Sequence, residues 1–200
     1  MGMYLGDGYI YKERNKNRYQ IGFVGSPQTD VELFENLKFL IKNEWGKEVK
    51  FGVRARGLRM VFRLKKMSDF LVKGLGLPFG RGKCQKVMIP ETIVKDLKLV
   101  RHTIRGIVDT DGSVFVSKKP GIEKYPAIEI TTTGGKLAFQ PREVLLKLGF
   151  RVASRVSKSR GGNLPAYRIA LYGKENIKKW LEEIGFSNKY KLERAKSYIQ

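Results

Sequence analysis

"GIVDTDGSVFV", residues 106–116, decides the fold: an apolar, helix-compatible run reaches two acids two residues apart, then a glycine, then the alternation of a strand. The same junction occurs earlier in the chain. Asp7-Gly8 and Asp111-Gly112 lie 104 residues apart, and the segments that follow them keep the same order. After "GDGYIYKER" comes the alternating "RYQIGFV"; after "TDGSVFVSKK" comes "YPAIEIT", so each acid introduces a predicted hairpin. An amphipathic helix is next in each copy, "DVELFENLKFLIKNEW" against "LAFQPREVLLKLGF". Then comes a strand pair, "VKFGVRARGLRMVFRL" against "FRVASRVSKSRGGNLPAYRIALY". A second helix closes each copy, with Gly76 and Gly185 at its end in the manner of C-caps. The periodic "IPETIVKDLKLVRHTIRGIVDTDG" predicts a helix running into the second Asp-Gly, while "GLPFGRGK" and "KSRGGNLPAY" read as loops.

Duplication predicts two mixed α and β halves, residues 1–90 and 91–200, related by a pseudo-two-fold. Within each half the strands sort their residues by face, because side chains alternate with period two. In "LRMVFRL", Leu58, Met60, Phe62 and Leu64 share one side and Arg59, Val61 and Arg63 the other; in "YRIALY", Tyr167, Ile169 and Leu171 oppose Arg168. One side of each sheet can pack on helices while the other presents cations.

The charge says what that face is for. Forty Lys and Arg against nineteen Asp and Glu give a net charge of +21 over 200 residues, a self-repulsion that a polyanion relieves. A single basic strand residue more often only solubilises its surface. A surplus of this size on repeated strands points instead to nucleic acid, with Lys12, Arg14, Arg18, Lys50, Arg54, Arg59, Arg63, Lys118, Arg151, Arg155, Lys158 and Arg168 as the candidate contacts. No apolar stretch is long enough to cross a bilayer and the N-terminal residues lack a signal-peptide core, so the expected location is intracellular and cytoplasmic. With one cysteine, Cys84, and one histidine, His102, there is no zinc cluster to assemble; any metal must be bound through oxygen.

Which acid carries chemistry follows from the repeat. The counterpart of Asp109 in the first copy is Leu5, so the duplicated acid is Asp111, matched by Asp7. Residues two apart on a helix point about 200° from each other, which leaves Asp109 solvated or held in a structural hydrogen bond. Asp7 and Asp111 each end a helix-like segment, where the macrodipole disfavours a carboxylate by roughly 0.3–1 kcal/mol and a hard cation would reverse the penalty. Two carboxylates with main-chain carbonyls make an oxygen-rich site of the kind Mg²⁺ accepts while keeping several waters. Small residues four apart, Gly2 and Gly6 in one copy and Gly106 and Thr110 in the other, would let two helix backbones meet closely enough to bring the acids together.

The pattern resembles the LAGLIDADG homing endonucleases in their single-chain, two-motif, archaeal intron-encoded form. The motif can be written over Ile104-Arg105-Gly106-Ile107-Val108-Asp109-Thr110-Asp111-Gly112, and more loosely over Gly2-Met3-Tyr4-Leu5-Gly6-Asp7-Gly8. The resemblance implies an αββαββα duplicate whose antiparallel sheets form a DNA-binding saddle around two central packed helices. It further implies double-strand breaks in a long asymmetric DNA target, made by a monomer with Mg²⁺, for which Mn²⁺ can substitute. Asp7 and Asp111 match the family's metal-binding catalytic acids, and the carbonyls of Gly6 and Thr110 its main-chain ligands. Lys83 and Lys191 best match the basic residue that the family places near each scissile phosphate; the plainer reading of each is one more phosphate contact. Gln28 lies near the family's water-ordering position, but Pro27 sits where an amide is expected, so that role is left open. Two departures stand out: the first motif begins only six residues before Asp7, so its helix is expected to be short, and Leu5 replaces the motif's first acid.

Other classes compete with the nuclease. A non-cleaving binder on the same scaffold, an intron RNA maturase or a DNA-binding regulator, would keep the shape without the chemistry. A ribosomal-type RNA-binding protein would fit the charge but leaves the duplicated Asp-Gly unexplained. The terminal "SYIQ" lacks the His-Asn of a protein-splicing element, which argues against an intein.

Overall fold

The computed structural model describes residues 1–13, 18–158 and 164–200. Its element order is the predicted repeat with helices added, short ones between the copies and one after the last predicted helix. The first copy runs α1 (Gly2–Leu5), β1 (Gly8–Lys12), β2 (Tyr19–Gly25), α2 (Val31–Trp45), β3 (Phe51–Arg54), β4 (Gly57–Phe62) and α3 (Lys65–Asp69), which continues as a π-helical turn, Phe70–Gly74. Two short helices connect the copies, α4 (Lys83–Lys86) and α5 (Glu91–Val94). The second copy runs α6 (Leu97–Asp111), β5 (Gly112–Lys119), β6 (Ile122–Thr132), α7 (Gly135–Lys147), β7 (Val152–Lys158), β8 (Pro165–Tyr172), α8 (Lys174–Glu183) and α9 (Lys189–Ile199). Both sheets are antiparallel with the same order, β1-β2-β4-β3 and β5-β6-β8-β7. Among the described residues no helix is long and apolar enough to cross a membrane.

The chain divides into two compact units, one of Asp7–Lys83 and one of Met1–Gly6 with Cys84–Gln200. In the first, Ile10, Ile21, Phe23, Leu58, Met60 and Phe62 form the buried side of the sheet, with Leu33, Phe34, Leu37 and Ile41 of α2 among the core residues. The strand pair β3–β4 turns through Ala55 and Arg56, both at positive φ (48° and 65°), the backbone of a two-residue hairpin loop. The helix after β4 ends where Gly76 turns left-handed, at φ 64°.

In the second unit, Val114, Ile128, Ile130, Ile169 and Leu171 line the sheet's buried side, with Leu137, Val144 and Leu145 of α7 and Ile177 and Trp180 of α8 among the core residues. The connector is interrupted where the sequence predicts one helix: Asp96 caps a new start, its carboxylate accepting from the amides of Lys98 and Leu99. Gln140 of α7 pins the preceding segment by accepting from the Ile89 amide and donating to its carbonyl. Gly185, at φ 70°, ends α8.

The small residues do what their spacing predicts. α1 runs alongside α6 in the same direction, Gly2 against Thr103 and Gly106, and Gly6 against Thr110 and Asp111. A Cβ on Gly106 would lie 2.9 Å from the Gly2 Cα and the Met3 amide nitrogen, so the two backbones are in contact there. Tyr4 and Leu5 of α1 are buried, and burial pushes the Tyr4 hydroxyl up to about 12. Because the folded state raises this pKa above the unfolded 10.0, the contribution is complete below pH 10 and is lost as pH rises toward 12. Urea unfolding of the wild type and Tyr4→Phe across that window is expected to show a steeper fall for the wild type. Parallel curves would place Tyr4 in water.

Candidate functional site

Asp111 is the last residue of α6, and Gly112 leaves the helix in extended conformation to begin β5. A side chain on Gly112 would meet the Val108 carbonyl, so the glycine lets the strand turn sharply off the helix end. Gly6 borders the acid: a Cβ there would overlap the Thr110 hydroxyl and come within 3.3 Å of the Asp111 carboxyl carbon. The Thr110 hydroxyl donates back to the Gly106 and Ile107 carbonyls, 3.0 and 3.1 Å away. Among the described residues there is no cluster of three or more His, Cys, Asp and Glu side chains. A metal at Asp111 would therefore be held by fewer than three such side chains, completed by backbone oxygen and water, a set that suits Mg²⁺ or Mn²⁺ and does not suit zinc.

Lys191 closes the end of α6. Its Nζ donates to three consecutive carbonyls, Val108, Asp109 and Thr110, at 2.8, 2.7 and 3.1 Å, so the ammonium sits on the negative end of the helix dipole. In the other unit, the Nζ of Lys83 donates to the Gly8 carbonyl at 2.6 Å, one residue past Asp7. Each predicted lysine is hydrogen-bonded to backbone adjoining its predicted acid.

Asp109 is 1% exposed, which settles its two sequence-level alternatives in favour of the structural one. Its carboxylate accepts from the Ser187 and Asn188 amides at 3.0–3.1 Å, at the entry to α9. Asn188 also caps α9 through the Lys191 amide. Burial pushes the Asp109 carboxyl above the usual carboxylate range, opposed by those amides and by the Lys191 ammonium. Asp109 thus acts as the clasp that brings α9, and Lys191 with it, against the end of α6. Asp109→Ala leaves the buried Asn188 amide and the part-buried Ser187 amide without their acceptor and is expected to cost about 3 kcal/mol. Urea denaturation checks the figure; a loss under about 0.5 kcal/mol would mean that the clasp is not formed.

Strand register sorts the basic candidates. Arg59 pairs with Val24 and Gly52, Arg54 with Gly57, and Arg63 continues the same side, opposite Leu58, Met60 and Phe62. Arg63 is also ion-paired with Glu13. In the other unit Arg155 and Arg168 face each other directly across β7 and β8, on the side away from the core. Like charges paired across strands repel, a cost that an anion lying over them removes. Lys12 pairs with Tyr19 and Lys158 with Pro165, so both share the core-side parity at strand ends and do not join those arginines. Arg18, Lys50, Lys118 and Arg151 are exposed beside strands or, for Lys118, at the irregularity in β5. Arg14 lies outside the described residues. Tyr9, Tyr11 and Gln20, and Ser113, Glu129 and Thr131, share the basic faces and were not singled out from sequence. Their alternation was visible; the pairing that puts them beside the arginines was not. Gln28, whose side chain accepts from the Ser26 hydroxyl, stays in its exposed turn.

Comparison with known proteins agrees with this fold. Residues 98–185 match the LAGLIDADG-like domain. Over 204 residues the chain is 29% identical to the replication factor C small subunit of Methanocaldococcus jannaschii, covering 100% of this chain but only 10% of that protein. The structure of I-DmoI in complex with DNA and Mn superposes with a TM-score of 0.64 at 16% identity, covering 92% of each chain. I-WcaI bound to its DNA recognition sequence gives 0.60 at 14% identity, covering 100% of this chain and 83% of the other.

Proposed function

We propose that the chain, whose residues 98–185 match the LAGLIDADG-like domain and whose fold is that of I-DmoI and I-WcaI, is a homing endonuclease of the LAGLIDADG family that cuts both strands of a long, asymmetric DNA target with divalent metal. Asp111 with the Thr110 carbonyl, and Asp7 with the Gly6 carbonyl, would hold the ions. When bound, Mg²⁺ or Mn²⁺ supplies activation of the attacking water and neutralises charge on the leaving oxygen. The chain's own residues do the rest. Lys191 and Lys83 keep a positive charge beside each Asp-Gly, where charge develops on the phosphoryl oxygens. Arg54, Arg59, Arg155 and Arg168 supply phosphate or base-edge contacts from the open sheet faces. Because the two copies differ in sequence, the preferred site is asymmetric, and one chain carrying both acids suffices as a monomer.

The observation that carries this reading is a lysine hydrogen-bonded to backbone next to each predicted acid, Lys83 to the Gly8 carbonyl just after Asp7 and Lys191 to the Thr110 carbonyl just before Asp111. Incubating the protein with a randomised duplex library, with Mg²⁺ and with chelator, tests it. Metal-dependent double-strand cuts at one sequence support the nuclease; selective binding without cuts in either Mg²⁺ or Mn²⁺ would assign a non-cleaving binder instead.

A further inference from the structure

We infer that the cleft where β8 passes into α8 is a second site, which binds single-stranded nucleic acid by taking an unpaired base and its flanking phosphate. The cleft measures about 720 Å³, within the span of sites that enclose small ligands. Tyr125 and Tyr172 stand on its wall as a stacked pair, ring centroids 5.9 Å apart and planes 6° from parallel. The Lys119 Nζ lies 4.5 Å from the Tyr125 ring, and Arg151 and Lys174 add two more cations. Gly173, at φ 91°, makes this platform possible: a Cβ there would sit 3.2 Å from the Tyr125 ring. The acid among these lining residues, Glu175, is ion-paired with Lys178.

Stacked rings that serve only as core are closed over by other side chains; these line an open cleft among cations. A duplex keeps the faces of its bases stacked on one another, so an aromatic platform is of use to a base that has left the helix. Ring plus cation is the pair of contacts that recognises an unpaired base and its phosphate. The position fits. Tyr172 is four residues along β8 from Arg168 and on the same face, about 13 Å away, so a strand leaving the basic sheet reaches the cleft within a few nucleotides. The Asn176 side chain bonds both the amide and the carbonyl of Arg151, which fixes the point from which that guanidinium extends. None of this rests on the nuclease reading; a chain that bound duplex without cutting it would carry the same cleft.

The strong general charge of the protein makes binding alone a poor test, so the readout is the contribution of the bases. Fluorescence anisotropy compares an oligothymidylate of about eight nucleotides with an abasic oligomer of equal phosphate count. Wild type is expected to prefer the base-bearing strand roughly ten-fold. Tyr172→Ala should erase the preference and Tyr172→Phe should keep it, while Arg151→Ala weakens both oligomers and leaves their ratio unchanged. An oligouridylate arm distinguishes the sources: tighter binding than oligothymidylate assigns RNA, weaker binding assigns DNA, and either supports the site. No preference in the wild type, or a preference that survives in folded Tyr172→Ala, overturns it.

Discussion

Asp111→Asn is expected to slow metal-dependent DNA cutting by roughly a hundred- to a thousand-fold while changing duplex affinity by less than about three-fold. The substitution keeps the size of the side chain and removes its charge. Asp111 sits beside Gly6, and no group of three or more His, Cys, Asp and Glu side chains among the described residues offers an alternative cage for a cation. Affinity, on the proposed reading, would come from arginines on the sheet faces, which the substitution leaves in place. Single-turnover cleavage of the sequence recovered from the library, with binding measured on the same duplex, separates the two effects. Parallel loss of binding and cutting would make Asp111 a structural residue.

Gly106→Val is expected to cost about 3 kcal/mol or more in urea unfolding, the largest effect on stability proposed here. What a Cβ at this position meets is the backbone of Gly2 and Met3 at 2.9–3.0 Å, which no rotamer change can relieve. α1 would have to leave α6, exposing Tyr4 and Leu5. Gly46 provides the contrast, because its φ is 66° but nothing lies near its Cβ position. Gly46→Ala therefore carries only the conformational cost of the left-handed backbone, about 1 kcal/mol. Equal losses for the two would mean that the helix seam is not formed.

Features that repeat along the chain were legible in its sequence. Two Asp-Gly junctions in matched context gave the duplicated αββαββα order, and glycines four apart gave the close helix pair. Features fixed by partners distant in sequence were not. Asp109 finds its amides 78 and 79 residues away, and Lys191 its carbonyls 81 to 83 residues away; no local pattern announces either. Which basic residues share a face also escapes a composition count. Lys12 and Lys158 look like neighbours of the strand arginines, yet register puts them on the other side. The Ala55-Arg56 turn carries no glycine or asparagine, so its positive φ values left no signal, and the break before α6 hid inside an unbroken apolar rhythm.

Whether Asp111 holds a divalent cation is measured most directly by electron-spin titration of Mn²⁺ into the protein bound to its duplex, with uptake by the duplex alone subtracted. Wild type is predicted to take up protein-dependent Mn²⁺ that Asp111→Asn loses in part and the Asp7→Asn, Asp111→Asn double variant loses entirely. Undiminished Mn²⁺ uptake by the folded, DNA-bound double variant would contradict the metal assignment and the nuclease with it.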